Sequence, residues 1–160
     1  MKKLIMLVGC PASGKSTYIK TLFPLLHDAI VMSFDAIIEE FATKDGTDYT
    51  TAFNKHAEEA NVIYNERFKK ALTYNKDIII DKTNMSKISR AKTLDLIKKE
   101  EWMLIAIDFS QVPIGEIKSR LIKREKETGK HIPEDVLEKM LASYEAPTKE
   151  EGFNYIIYTV

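Results

Sequence analysis

Short apolar runs rich in isoleucine and valine alternate along this chain with longer stretches whose apolar residues recur at helical spacing. Residues 4–8, 29–33, 78–81, 103–109 and 155–158 form such runs, each short enough to be a strand buried on both faces of a parallel sheet. Between them, helices are predicted to start near Lys15, Ser86 and Pro113. A longer helix is predicted over residues 51–74, where Ala52, His56, Ala60, Ile63, Arg67 and Leu72 keep a loose period near 3.6. A last helix is predicted over residues 133–144, with Pro133 in its first turn and Glu134 and Asp135 beside the positive end of its dipole. Its apolar stripe is Val136, Leu137, Met140 and Leu141. Strand and helix in alternation give an α/β class, with five parallel strands and helices on both faces.

The 160 residues make one domain, 1–160. Lys plus Arg and Asp plus Glu are 24 each, a net charge of zero, so no whole-molecule field draws the protein to nucleic acid or a membrane, and any nucleic-acid surface is local. With 6 glycines and 5 prolines the chain is too poor in both for a linker-rich or disordered protein. Cys10 has no second cysteine to pair with, and His27, His56 and His131 do not stand at zinc-binding spacing. Lys2 and Lys3 precede an apolar run that falls short of the roughly 7–15 residues of a signal-peptide core, and no run reaches the length of a membrane span. The expectation is a cytoplasmic protein without a membrane partner.

The chemistry opens after the first run. Gly9-Cys10-Pro11-Ala12-Ser13-Gly14-Lys15-Ser16-Thr17 satisfies G-x-x-x-x-G-K-[ST], between a predicted strand and a predicted helix. In such a loop successive backbone N–H groups turn inward around a phosphate and the helix amino end adds partial positive charge. Lys15 reaches the β and γ oxygens, and Ser16 offers its hydroxyl to Mg²⁺. The implied ligands are ATP and Mg²⁺. No N-K-x-D base-recognition loop accompanies it, which favours a small kinase over a GTPase.

Three further groups stand where a parallel sheet opens its crevice, at the carboxyl ends of strands. Asp35 follows the second run; it can accept the proton of an attacking hydroxyl, hold the water shell of Mg²⁺, or cap a segment starting at Ala36. Asp81 ends the third run and suits the magnesium shell near Ser16. Thr83 and Asn84 offer neutral hydrogen bonds, although with Ser86 they are also typical helix caps. Arg90 stands where a guanidinium can return to the same crevice. Arg120 and Arg124, four apart on one helical face, can fold over ATP as a cationic lid, or can belong to a solvated face paired with Glu116 and Glu127.

In this order, these residues resemble the kinase domain of the polynucleotide 5′-hydroxyl kinase family, its bacteriophage branch above all. The likeness runs through Met1-Lys2-Lys3, Gly9-Cys10-Pro11, the loop to Thr17, Asp35, Asp81-x-Thr83-Asn84 with Arg90, Arg120-x-x-x-Arg124 and Ile132-Pro133-x-x-Val136-Leu137. The resemblance implies an adenylate-kinase-like P-loop NTPase fold with a helical lid. It implies ATP and Mg²⁺ at Gly9, Ala12, Ser13, Gly14, Lys15, Ser16 and Thr17, with Lys15 and Arg124 catalytic, and Asp35 as general base on a 5′-hydroxyl. Thr83, Asn84 and Arg90 would line the acceptor side, Arg120 and Arg124 the nucleotide lid, and Ser16 and Asp81 the metal.

The chain departs from the family at four places, one of them a slightly longer lid segment between Arg124 and Pro133. Ala12 replaces a loop glycine, which is harmless if that position keeps an ordinary backbone angle. Phe34 and Ile38 stand where basic residues flank the catalytic aspartate. Ile38 cannot pair with an acceptor phosphate, so either Lys44, Lys55 or Lys87 takes over that contact or the acceptor lacks it. The family's following phosphatase domain has no counterpart before Val160, so the expected activity is kinase alone. The expected function is therefore transfer of the γ-phosphate of ATP to a 5′-hydroxyl end of DNA or RNA. Its rivals are a kinase of a small hydroxyl compound (nucleoside, nucleotide or sugar) and a regulatory module in which ATP sets conformation only.

Overall fold

The computed structural model describes residues 1–22 and 24–159; Phe23 and Val160, the last residue of the expected domain, lie outside the described residues. Strands β1 (Lys2–Val8), β2 (Ile30–Ser33), β3 (Ile78–Asp81), β4 (Trp102–Asp108) and β5 (Tyr155–Tyr158) form one sheet in the order β2-β3-β1-β4-β5. Every neighbouring pair is parallel, with Leu4 opposite Ile78 and Leu104, and Ser33 opposite Asp81. Six α-helices accompany it among the described residues: α1 (Lys15–Leu22), α2 (Phe34–Asp45), α3 (Tyr49–Ala71), α4 (Lys87–Leu94), α5 (Ile114–Thr128) and α6 (Glu134–Ala142).

Alternate residues of each strand point to opposite faces, and both faces are covered. Leu4, Met6, Ile78, Ile80, Leu104 and Ala106 pack against Ile37 and Ile38 of α2 and Ala60, Tyr64 and Phe68 of α3. Ile5, Leu7, Ile79 and Ile107 face the other way, onto Ile19 of α1 and Phe109. Each isoleucine or leucine so enclosed contributes about 1.5–3 kcal/mol of transfer free energy, which is why the central strands read as unbroken apolar runs. A third cluster joins Cys10 and Met85 to Ile117 of α5 and Leu137 of α6, and it seats those two helices beside the loop after β1.

The expected strands are all present, β3 and β5 with the predicted bounds and the other three with ends shifted by one or two residues. Helix α2 is the element that periodicity did not isolate, because it begins where β2 stops. Ser33 caps it, its Oγ accepting from the Ala36 amide at 3.2 Å. Asp35 therefore stands in the first turn and is not the cap. Helix α3 starts two residues earlier than predicted, with the Asp48 carboxylate accepting from the Thr51 amide, and ends at Ala71. Ser86 caps α4 in a reciprocal box with Ser89, while Thr83 and Asn84 take no part in the cap. The final helix starts at Glu134, with Pro133 just outside it.

Candidate active site

The carboxyl ends of the strands open into a cleft of 1950 Å³, lined by the loop after β1, the starts of α2 and α3, the end of β3, and α5 with the segment leading into α6. A smaller 610 Å³ depression at the amino ends of β1, β3 and β4 touches none of these residues. The loop is built for close packing. A Cβ on Gly9 would lie 2.6 Å from Ser13 Oγ and 2.9 Å from Phe109 Cβ, and Gly14 holds φ at +100°. The Gly9 amide donates to the Thr83 carbonyl at 2.9 Å, tying the loop to the end of β3. Ala12 sits at φ +62°, in the left-handed region where a Cβ costs roughly 1–2 kcal/mol; the ordinary angle expected of it is not found.

Lys15 Nζ donates to the carbonyls of Gly9 at 2.9 Å and Cys10 at 2.8 Å, and the side chain is nine-tenths buried. Burial holds its pKa below the ordinary lysine value, opposed by the fields of Asp81, Cys10 and Asp35. Burial likewise raises the Cys10 thiol, and nearby Lys15 only partly counters it. Ser16 and Asp81 both line the cleft, and burial raises the Asp81 carboxyl against the lowering field of Lys15.

Asp35 is the best-connected group in the cleft. Its Oδ2 accepts from Lys130 Nζ at 2.8 Å and its Oδ1 from the Tyr49 hydroxyl at 2.5 Å. Lys130 also lies 4.0 Å above the Tyr49 ring, which closes a triangle of acid, cation and phenol. Burial would raise the Asp35 pKa, but Lys130, Tyr49 and Arg124 together bring it below the ordinary 3.8. The carboxylate is therefore ionised over the whole neutral range. Burial and the Asp35 charge push the Tyr49 phenol the other way, so it stays a donor.

Helix α5 lies over the phosphate loop. Arg120 Nη1 donates to the Ala12 carbonyl at 3.0 Å, and its other nitrogen pairs with Glu116 one turn back. Arg124 lines the cleft and makes no ion pair among the described residues; its field reaches Lys15, Asp35 and Asp81. Arg120 is thus paired on the helix surface, and Arg124 faces the cleft.

Two acceptor-side expectations are corrected. Arg90 is fully buried and forms a two-pronged ion pair with Glu151, at 2.7 and 3.0 Å, while also donating to the carbonyls of Asn84, Met85 and Ala146. Every direction a guanidinium can donate in is used inside the fold. Asn84 is equally inward: at φ +48° its amide donates to the Leu7 carbonyl at 2.7 Å. Of the three expected acceptor residues besides Asp35, only Thr83 lines the cleft. The cations offered to replace Ile38 do not reach it either. Lys55 pairs with Asp45, and neither Lys44 nor Lys87 borders the cleft. The cation beside Asp35 is Lys130, missed because six basic residues crowd positions 118–130. The one local signal was Gly129, whose φ of +72° ends α5 and turns the chain back toward α3.

A parallel sheet with a phosphate loop after its first strand, a strand-end acid and arginines from a covering helix define a P-loop fold of the kind that kinases share. Over residues 4–147 the chain matches the AAA domain family, and it belongs to that family. It is 26% identical over 148 residues to an L-seryl-tRNA(Sec) kinase of Methanococcus maripaludis, covering 90% of this chain and 53% of that protein, so it spans about half that relative's length. Among solved structures it is similar to a chain of the Pnkp1/Rnl/Hen1 RNA repair complex, with a TM-score of 0.69 and 26% identity, covering 89% of this chain and 43% of that one. It is also similar to a putative kinase of Chloroflexus aurantiacus, with a TM-score of 0.70 and 18% identity over 99% of this chain and 84% of that one.

Proposed function

We propose that this protein transfers the γ-phosphate of ATP to a 5′-hydroxyl end of DNA or RNA. The observation that carries the reading is one shared cleft. Lys15 and Ser16 line it at the phosphate loop, Thr83 and Asp35 line it at the strand ends beside that loop, and Arg124 comes from α5. The first-turn amides of α1 have no intrahelical acceptors, and Ser13 Oγ is buried in the loop without a protein partner, so the loop fits a polyphosphate. The Ser16 hydroxyl and the Asp81 carboxylate fit a hard divalent cation and would hold Mg²⁺ there. Mg²⁺ held there would neutralise negative charge on the phosphates.

In the step itself the acceptor hydroxyl gives its proton to Asp35 as its oxygen bonds to the γ-phosphorus. The bond from that phosphorus to the oxygen bridging to the β-phosphate breaks, and ADP leaves. Lys15 and Arg124 meet the charge that spreads over the transferred oxygens. Lys130 and Tyr49 fix the two oxygens of Asp35, so the carboxylate is ionised and aimed before the acceptor arrives.

One observation favours a second reading, a kinase of a small hydroxyl compound. Ile38 lies wholly in the core, so the phosphate contact that the polynucleotide kinase pattern places there has no counterpart at that position. The experiment is transfer of labelled γ-phosphate from ATP with Mg²⁺ to a 5′-hydroxyl oligonucleotide, beside nucleosides and sugars. Label is expected on the oligonucleotide. It should be lost in Lys15→Ala and fall about 10²–10⁴-fold in Asp35→Ala. Label on a sugar alone overturns the nucleic-acid reading, and near-normal transfer by Asp35→Ala overturns the base.

A further inference from the structure

The wall of the cleft next to Asp35 is aromatic. Tyr49 and Phe53, one turn apart on α3, stack with ring centroids 6.1 Å apart and 22° between planes, and Phe34 meets Phe53 edge-on at 6.3 Å. All three border the cleft. Their situations differ. Tyr49 is committed, its hydroxyl to Asp35 and its ring to the Lys130 ammonium. Phe34 is half-buried against the core behind β2. Phe53 remains 41% exposed although it lines a cleft, and its neighbours fix the tilt of its ring. The start of α6 and the segment before it bring Ile132, Pro133 and Val136 to the same cleft.

Apolar and aromatic walls are poor partners for a polyol, whose hydroxyls demand hydrogen bonds. They are good partners for a flat heteroaromatic ring, which stacks whatever its sequence identity. The surroundings match the rest of such a ligand, since Lys130 and Arg124 supply cations beside the ring and Asp35 the proton acceptor. Cations with an aromatic platform are the combination used to hold single-stranded nucleic acid.

We infer that Phe53 is the stacking platform for the nucleobase of the acceptor's terminal nucleoside, held by Tyr49 and Phe34 so that the attached hydroxyl reaches Asp35. The inference rests on the 5′-hydroxyl kinase reading and adds the residue that selects a base-bearing acceptor.

The test compares two oligonucleotides with a 5′-hydroxyl, identical except that one carries an abasic sugar at the first position. They are phosphorylated by the full chain and by Phe53→Ala, Phe53→Leu and Phe53→Trp. A stacked base predicts that kcat/KM of the wild type favours the base-bearing acceptor about 5- to 150-fold. Phe53→Ala and Phe53→Leu should bring that ratio toward one, and Phe53→Trp should keep it. Phe53→Leu retains apolar bulk without a π-face, so it separates stacking from simple packing and serves if Phe53→Ala does not fold. A wild-type ratio near one, or a ratio unchanged in Phe53→Leu, overturns the platform while leaving the kinase reading intact. Absence of label on both oligonucleotides, with label on a sugar, overturns the 5′-hydroxyl reading and the platform with it.

Discussion

Removing the Arg90 guanidinium should unfold this protein at lower temperature without acting through the acceptor. Arg90 is fully buried, its partner Glu151 is 12% exposed, and the pair is two-pronged at 2.7 and 3.0 Å. Arg90→Met therefore strands a nearly buried carboxylate and deprives the carbonyls of Asn84 and Met85 of their donor. Breaking such a pair from one side costs about 3–5 kcal/mol, against a total stability of about 5–15 kcal/mol. At about 2–4 °C per kcal/mol for a chain of this size, the midpoint should fall by about 6–20 °C. Thermal and urea melts followed by circular dichroism measure this. Adding Glu151→Leu to Arg90→Met should recover part of the loss, since no charge is then left unpaired while the Thr148 amide and the carbonyls of Asn84 and Met85 still lack partners. The sign with pH is also fixed. Burial raises Glu151, but Arg90 and the Thr148 amide outweigh it and hold the carboxyl below the ordinary 4.5. The stabilisation is present above that value and is lost as pH falls through the depressed one, so the wild type should converge on Arg90→Met in acid. An Arg90→Met protein that melts with the wild type yet shows a raised acceptor KM would refute the structural role and return Arg90 to the acceptor side.

Three other perturbations follow from the site. Lys130→Met removes the principal charge holding Asp35 below 3.8; because Asp35 must be ionised to act as the proposed base, the acid limb of the kcat profile should move to higher pH, with Lys130→Arg restoring it, and an unmoved limb would contradict the pairing. Ala12→Gly relieves a φ of +62° and should raise stability by roughly 1 kcal/mol, read as a small upward shift in the melting midpoint. Gly9→Ala places a methyl 2.9 Å from the Phe109 Cβ, so ATP affinity measured by calorimetry should fall sharply, while unchanged affinity would mean that the loop can spread without cost.

What the sequence disclosed and what it hid divide along a physical line. The phosphate loop was legible because its requirements are local: glycines where Cβ atoms clash, then a lysine and a hydroxyl at the start of a helix. Asp35 and Asp81 were legible because strand ends in a parallel sheet always face the crevice. Helix α2 was hidden by its abutment on β2, which removes the turn residues that normally mark a boundary. Arg90 was misplaced because helical spacing gives the direction of a side chain and not the identity of what waits there; its partner Glu151 lies 61 residues on. Lys130 was hidden for the same reason across 95 residues.

The position of Lys130 also bears on how the two halves of the cleft are joined. Arg120 holds the Ala12 carbonyl on the phosphate side, while Lys130, just beyond the end of the same helix, holds Asp35 on the acceptor side. At 1.5 Å per residue the helical stretch between them spans on the order of 12–15 Å, so α5 acts as a rigid bar seated on Cys10 and Met85 through Ile117. The Gly129 carbonyl and His131 amide bond to Thr50, and this adds a second attachment at the acceptor end. A displacement of α5 that opened the phosphate loop would pull Lys130 from Asp35 in the same movement. On the proposed mechanism, base and phosphate clamp are thus set by one element, and a variant that loosens Arg120 should also shift the acid limb governed by Asp35, although the two residues never touch.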